Sequence, residues 1–432
     1  MQPLTHAHEA SEAPQTLLDA LARAPAAAAL VVAALDQLED RKALRLAHPQ
    51  LRDAVGEATT KLEVDDPWGP SGTDSGNDSD DFDVAAAAAR PPTARRWPRL
   101  EDLEIPLHAA LELTTLEALG AETWGRLRTL YLYNFTEAAM SVPSACALLA
   151  ALRRMPVLHR LALWNTTLSD AAASSLFRAS SIEAVPQLRA LTVMNADLSL
   201  AAVRMLAVTG WRLEELDLWQ NDIGAAGLAA LVAAPTFAIR CLALTFIKLD
   251  AASLLPLADT PWPLEELSMS SGDCSAAGPA LAALSRHVDL HSLHLSDPLS
   301  AAGFKALVEA SWPALTHLNT FRTKVEFDGP HALGAAAFAG FPALEEPNLS
   351  SVELGEAGAQ LLARRRWVRL KTLNLSKCGM GDAGLTALAR GAWPALEVLD
   401  LRDNGFSAPP SLDDARRWAP ALQKLICGVA DL

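Results

Sequence analysis

Residues 213–232 read LEELDLWQNDIGAAGLAALV. The first half alternates, with Leu213, Leu216 and Leu218 set against Glu215, Asp217 and Trp219, which is the period of a half-buried strand. The second half has Leu228, Leu231 and Val232 at helical spacing, and the glycine-bearing IGAAG separates the two. One such unit cannot close a core by itself, so its meaning depends on whether it recurs.

It recurs along most of the chain. The leucine frame L-x-x-L-x-L, with other apolar residues tolerated, starts at Leu100, Leu127, Leu158, Leu188, Leu213, Ile239, Leu264, Leu290, Leu315, Leu344, Leu370, Leu396 and Leu422. Counting each start as position 1, positions 1, 4 and 6 face a core, while 3, 5 and 7 face away. Gly227, Gly278, Gly303, Gly358 and Gly384 recur near the helix starts, where a bare backbone lets neighbouring turns approach closely. A Trp-Pro element or a variant of it (Trp97, Trp124, Trp211, Trp262, Trp312, Trp367, Trp393, Trp418) closes each helix and opens the next strand, so each indole is expected to cover the end of the core.

The pattern resembles the leucine-rich repeat, in the long helix-containing form similar to ribonuclease inhibitor, over residues 98–432. The resemblance implies an α/β solenoid, a horseshoe with a concave parallel sheet and convex helices, closed at its start by a short helical N-terminal cap. Helices about 10 Å wide, stacked on strands about 4.8 Å apart, force that curvature. The asparagine usual at position 9 stands only at Asn221 and Asn404, with Cys378 as a substitute; Phe135, Thr166, Ala196, Ile247, Gly272 and Val352 occupy it elsewhere. The backbone groups at those turns therefore need other partners.

Residues 1–64 read as helices followed by TTKLEV at 59–64, which has the strand rhythm of a repeat and is expected to add a strand before the first one. Residues 29–55 resemble an F-box, with Ala24-Pro25 as the nearest equivalent of its usual Leu-Pro. That resemblance implies docking on a Skp-type adaptor of a ubiquitin ligase through Leu35, Leu38, Leu44, Leu46 and Leu51; the other reading is a cap that shields the first repeat. Residues 65–97 form an acidic, flexible linker or insertion, with seven Asp and no Lys or Arg from Val64 to Ala89.

The net charge of −15 argues against a nucleic-acid ligand, which needs a basic face. The longest early apolar stretch, ending at Leu35, is too short to span a bilayer and begins too late for a signal peptide. The cytoplasm is therefore the expected compartment, with the nucleus as the alternative. Five scattered cysteines offer no metal or redox pair. His291, His294 and His317 lack a completing ligand, and neither a phosphate loop nor a nucleophile elbow occurs. No catalytic residue, metal or cofactor is expected.

What remains is a face for a protein partner. Tyr133, Trp164, Met194 and Trp219 occupy position 7 of successive repeats, with Tyr131 at position 5 and Phe246 at position 8 beside them. At strand spacing the four would make a row about 14 Å long. Contiguous exposed aromatics mark partner surfaces, although the loops after Asn134 and Asn165 offer a cover that would bury them instead. The reading is a recognition scaffold that acts as a monomer. Its alternative is an enzyme regulator similar in repeat type to the GTPase-activating protein of the Ran cycle, a family whose acidic tract follows the repeats rather than preceding them.

Overall fold

The computed structural model describes residues 61–63, 99–107, 112–134, 139–178, 181–247, 254–269, 278–295, 299–320, 333 and 336–428. Each of the thirteen repeat starts is followed by one strand. The contacts group into two compact units, one reaching Thr166 and including Ala179–Leu188, the other comprising Thr167–Arg178 and Arg189–Leu432.

In the first unit β1 (Lys61–Glu63), β2 (Asp102–Leu107), β3 (Thr129–Asn134) and β4 (Arg160–Trp164) lie side by side in that order, all parallel. Leu62 is in register with Leu103, so the TTKLEV stretch does supply the strand before the first repeat. In the second unit the strands again follow chain order: β5 (Ala190–Met194), β6 (Glu215–Asp217), β7 (Cys241–Leu244), β8 (Glu266–Met269), β9 (Ser292–Leu295), β10 (His317–Asn319), β11 (Glu346–Asn348), β12 (Thr372–Asn374), β13 (Val398–Asp400) and β14 (Lys424–Ile426). The alternation is strict in β3, where Leu130 and Leu132 are buried and Tyr131 and Tyr133 only half so.

Helices enter by two routes. At Val142–Leu152, Asp170–Leu176, Leu200–Ala207, Ala301–Glu309 and Leu412–Arg416 a serine caps the first turn, as when Ser199 Oγ accepts from Ala202 N at 3.0 Å. At Gly224–Val232, Gly355–Ala363 and Gly381–Leu388 the capping residue is instead the apolar Ile223, Leu354 or Met380. There the first glycine of Gly-x-x-Gly takes a left-handed φ of 55 to 59°. A Cβ on the second glycine would meet the Cβ of that apolar cap, at 2.5 Å for Gly358 and 2.6 Å for Gly384. This corrects the expectation for these positions: the bare backbone chiefly makes room for a side chain of its own repeat. At Gly278 the nearest atoms belong to the adjacent helix, Ala302 O at 3.4 Å among them.

The tryptophans close the helices as expected. Trp124, Trp312, Trp367 and Trp393 are buried, and each indole N–H donates at 2.9 to 3.0 Å to the carbonyl five residues earlier, satisfying an orphan group at a helix end. Trp211 is equally buried but its N–H is unpartnered among the described residues, because Thr209 Oγ1 donates to the corresponding carbonyl, Leu206 O, at 2.9 Å. Trp211 packs edge-on against Phe177 instead. At the last strand, Ala415, Ala419 and Leu422 are buried, while Trp418, Leu425 and Cys427 are half-exposed.

Candidate functional site: the open sheet face

The face of the sheet turned away from the helices is fixed in place by the turns that follow each strand. Asn221 holds one turn with five bonds: Oδ1 accepts from Ala196 N and Leu198 N at 3.1 and 3.2 Å, and Nδ2 donates to Val193 O, Leu218 O and Trp219 O. Asn404 does the same toward Cys378 N, Met380 N, Leu375 O, Leu401 O and Arg402 O. Repeats without asparagine find substitutes. Cys378 Sγ donates to Leu349 O at 3.2 Å, and burial pushes its thiol up to about 12, which keeps the donor proton in place. Thr166 Oγ1 donates to Trp164 O at 3.1 Å, whereas Ile247 and Val352 fill the position with buried hydrocarbon.

Position 8 is left-handed in repeat after repeat, at Asn165, Asn195, Gln220, Phe246, Ser351, Lys377 and Asp403. Before it, position 5 makes a second recurring contact. Asp217, Asn348, Asn374 and Asp400 each accept, through Oδ1, the backbone N–H two residues on at 2.9 to 3.1 Å. The side chain at position 7 is thereby aimed in a repeatable way.

The aromatic candidates fall into two groups. In the first unit Trp164 meets Tyr133 edge-on, with centroids 4.5 Å apart at 84°, and Tyr131 at 6.4 Å and 76°. All three are half-buried, and the Trp164 N–H has no hydrogen-bond partner among the described residues. In the second unit Trp219 meets Phe246 edge-on at 5.5 Å and 84°; Met194 and Trp219 are half-buried, and Phe246 is 58% exposed. Such edge-to-face pairs add about 0.5–1.5 kcal/mol beyond their burial.

Charged residues along the repeats are mostly matched. Arg189 pairs with Glu214 at 3.4 Å, Arg240 with Glu265, and Glu345 with both Arg369 and Lys371 at 2.6 and 2.7 Å. His291 and His317 lie 3.6 Å from Glu266 and Glu346. These exposed pairs contribute little each. Burial, followed by the Glu266, Glu215 and Glu265 carboxylates, raises Cys241 to about 11, so this open-face thiol stays protonated. His294 lies below the usual histidine value because it is half-buried and faces His317, an effect that Glu266 opposes. Asp217 lies above the usual carboxylate value because burial outweighs the hydrogen bond from Trp219 N. Among the described residues no group of three His, Cys, Asp or Glu could hold a metal, and no helix is long and apolar enough to cross a membrane.

Leu35, Leu38, Leu44, Leu46 and Leu51, with the acidic stretch of 65–97, lie outside the described residues. The sequence reading singled out Trp219 and Phe246 but missed Asp217. Its signal was available in a comparison of positions 5 and 7 across repeats, since the other aspartate at position 5, Asp400, is followed by Arg402 and Asp217 is followed by Trp219.

A family model described as "Leucine Rich repeat" matches residues 213–232 and 370–389. No curated protein matches the chain in sequence. Similar solved structures include the Rad7 and Elc1 complex in yeast, at 15% identity over 99% of this chain and 94% of that one, with a TM-score of 0.48. A TLR13–ssRNA13 complex shows 19% identity, 76% and 45% coverage and a TM-score of 0.43. An internalin from Listeria monocytogenes shows 14%, 76%, 81% and 0.42. At such identities and scores none of the three says what this chain binds. The two matched repeats, the recurring frame around them and the parallel strand-helix stacking give this chain a leucine-rich repeat fold.

Proposed function

We propose that the chain is a non-enzymatic protein-recognition scaffold. Its open sheet face, the concave face in a solenoid of this kind, takes a protein partner at Tyr131, Tyr133 and Trp164 in one unit and at Met194, Trp219 and Phe246 in the other. The observation that carries this reading is a division among tryptophans. Six of them, at the helix ends, are at most 5% exposed, with Trp418 after the last helix half-exposed, whereas Trp164 at the end of its strand and Trp219 in the turn after its strand stand half-exposed beside tyrosine and an exposed phenylalanine. Clustered aromatics that are not needed for the core are what binding hot spots are made of. The test is the double variant Trp164→Ala with Trp219→Ala: it keeps its circular dichroism spectrum and loses the partner retained by the parent chain. Undiminished retention would remove this site.

A finer form of the reading rests on the sequence of residues 29–55 alone. In it the scaffold is the substrate receptor of a ubiquitin ligase of the cytoplasm or nucleus, with Leu35, Leu38, Leu44, Leu46 and Leu51 gripping a Skp-type adaptor. Co-purification with that adaptor, lost on deleting residues 15–55, is its expected outcome. No binding at micromolar protein would leave those residues as a cap. The scaffold acts as a monomer, and sedimentation of the free chain at micromolar concentration checks this.

A further inference from the structure

Among the described residues four repeats make the same turn from position 5, and the turn needs only one acceptor oxygen. Asn348 and Asn374 supply it without charge. Asp400 adds a charge, and Arg402 at position 7 takes it up, with Nη2 2.6 Å from Oδ2 and Nε 3.0 and 3.1 Å from the two oxygens. Asp217 also adds a charge, is half-buried, and makes no ion pair among the described residues. In its repeat the place of Arg402 is held by Trp219. A carboxylate thus stands where an amide would serve the turn, and where burial disfavours its charged form.

Phe246 is costly in the same way. At position 8 the backbone is left-handed (φ 57°), a region that Asn, Gln, Ser, Lys and Asp occupy in the other repeats and that a bulky aromatic occupies rarely. At 58% exposure its ring recovers little by burial. A left-handed backbone held at an exposed aromatic is grounds for a functional hypothesis. The ring meets Trp219 at a right angle, giving two aromatic walls. Asp217 ends β6 and Trp219 stands in the turn two residues on, positions at which the side chains of Asp400 and Arg402 meet in the later repeat.

We propose that Asp217, Trp219 and Phe246 form a site for an arginine side chain of the partner protein, its guanidinium paired with the carboxylate and lying against the indole. The proposal rests on the recognition reading above and names the chemistry of its partner. The Asp400–Arg402 pair is the internal counterpart of the contact, with the guanidinium supplied in cis. Arginine is favoured over lysine because its planar fork pairs with a carboxylate and stacks on an aromatic face at once. The neighbouring Arg189 and Arg240 are engaged by Glu214 and Glu265, so the position is left to an incoming cation.

The test uses the full chain labelled with 5-fluorotryptophan, the Trp219 resonance being assigned by its loss in Trp219→Phe. The probes are the tripeptide amides acetyl-Gly-Arg-Gly, acetyl-Gly-Lys-Gly and acetyl-Gly-citrulline-Gly. The arginine peptide is expected to move the Trp219 resonance saturably, in the millimolar range, and the citrulline peptide not at all. Asp217→Asn and Phe246→Asn, which both preserve the turns, weaken the response about tenfold or abolish it, while Phe246→Asn melts no lower than the parent. A missing or unsaturable response, an equal response to citrulline or lysine, or an unchanged response in both variants overturns the assignment. If Asp217→Asn with Phe246→Asn retains the partner in full and Trp164→Ala with Trp219→Ala loses it, the arginine site falls and the recognition face stands. If all the variants retain it, both fall.

Discussion

The repeats that begin at Leu213 and Leu396 are nearly the same object on one side and opposites on the other. In both, a buried asparagine makes five hydrogen bonds, three to the repeat before it and two within its own, and an aspartate closes the turn from position 5. On the open face one repeat carries Arg402 folded back on its own carboxylate, while the other carries Trp219 beside an exposed phenylalanine. Residues shared by the two build the scaffold. In the recognition reading proposed above, the residues that differ are the ones a partner touches, so the difference between two repeats of one chain separates structural requirement from recognition.

The largest expected effect breaks what the two repeats share. Asn404→Ala deletes all five bonds and strands buried backbone groups, which should cost about 3 kcal/mol or more, and Asn221→Ala should match it to within about 1 kcal/mol. Urea titration followed by circular dichroism reads both. A markedly milder loss at either site would mean that its turn is held by something else.

Next comes the difference itself. Arg402→Met leaves the buried Asp400 without its cation, as the half-buried Asp217 is, and should cost about 1–3 kcal/mol at neutral pH. Asp217→Asn runs the other way. Because burial raises the Asp217 pKa, the folded chain binds the proton more tightly than the unfolded one, and the carboxylate lowers stability once the pH exceeds its ordinary value of 3.8. The amide variant should therefore melt higher than the parent at pH 7, the gap closing as the pH falls below 3.8. A gap independent of pH would show that the charge is not its source.

The smallest effect belongs to His294, at position 5 of its own repeat, where three of the next four repeats carry Asn319, Asn348 and Asn374. Its pKa is lowered by burial and then by His317, so the unfolded chain binds the proton more readily, and stability falls as the pH drops through the ordinary histidine value of 6.5. His294→Asn should flatten that loss in melts between pH 5 and 7, about the interval in which histidine titrates. A parallel slope in both proteins would count against this origin.

The solenoid was legible because its signals are local and repeated. The alternation around Leu216 and the helical spacing of Leu228 and Leu231 each report a burial period, and thirteen copies average out the irregular ones. The placement of Trp312 and Trp393 at the helix ends was legible too, but not the bond each indole makes to a carbonyl five residues back, nor its loss at Trp211, which depends on the competing hydroxyl of Thr209. The second glycine of Gly-x-x-Gly was misread because its clash lies with a residue of its own turn, a matter of backbone conformation that spacing does not carry. The aromatic residues were visible as a row. The strain at Phe246 and the missing cation of Asp217 appear only when turn geometry is added.

The most direct measurement of the central claim places a photo-crosslinking benzoylphenylalanine at Ala243, which faces the open side in register with Asp217, or at Lys305, exposed on the helix Ala301–Glu309. The recognition reading predicts that irradiation in cells yields a discrete protein adduct from position 243 and none from position 305, and that Trp164→Ala with Trp219→Ala abolishes the adduct. An adduct from position 305 alone, or one from position 243 that survives the double variant, would contradict it.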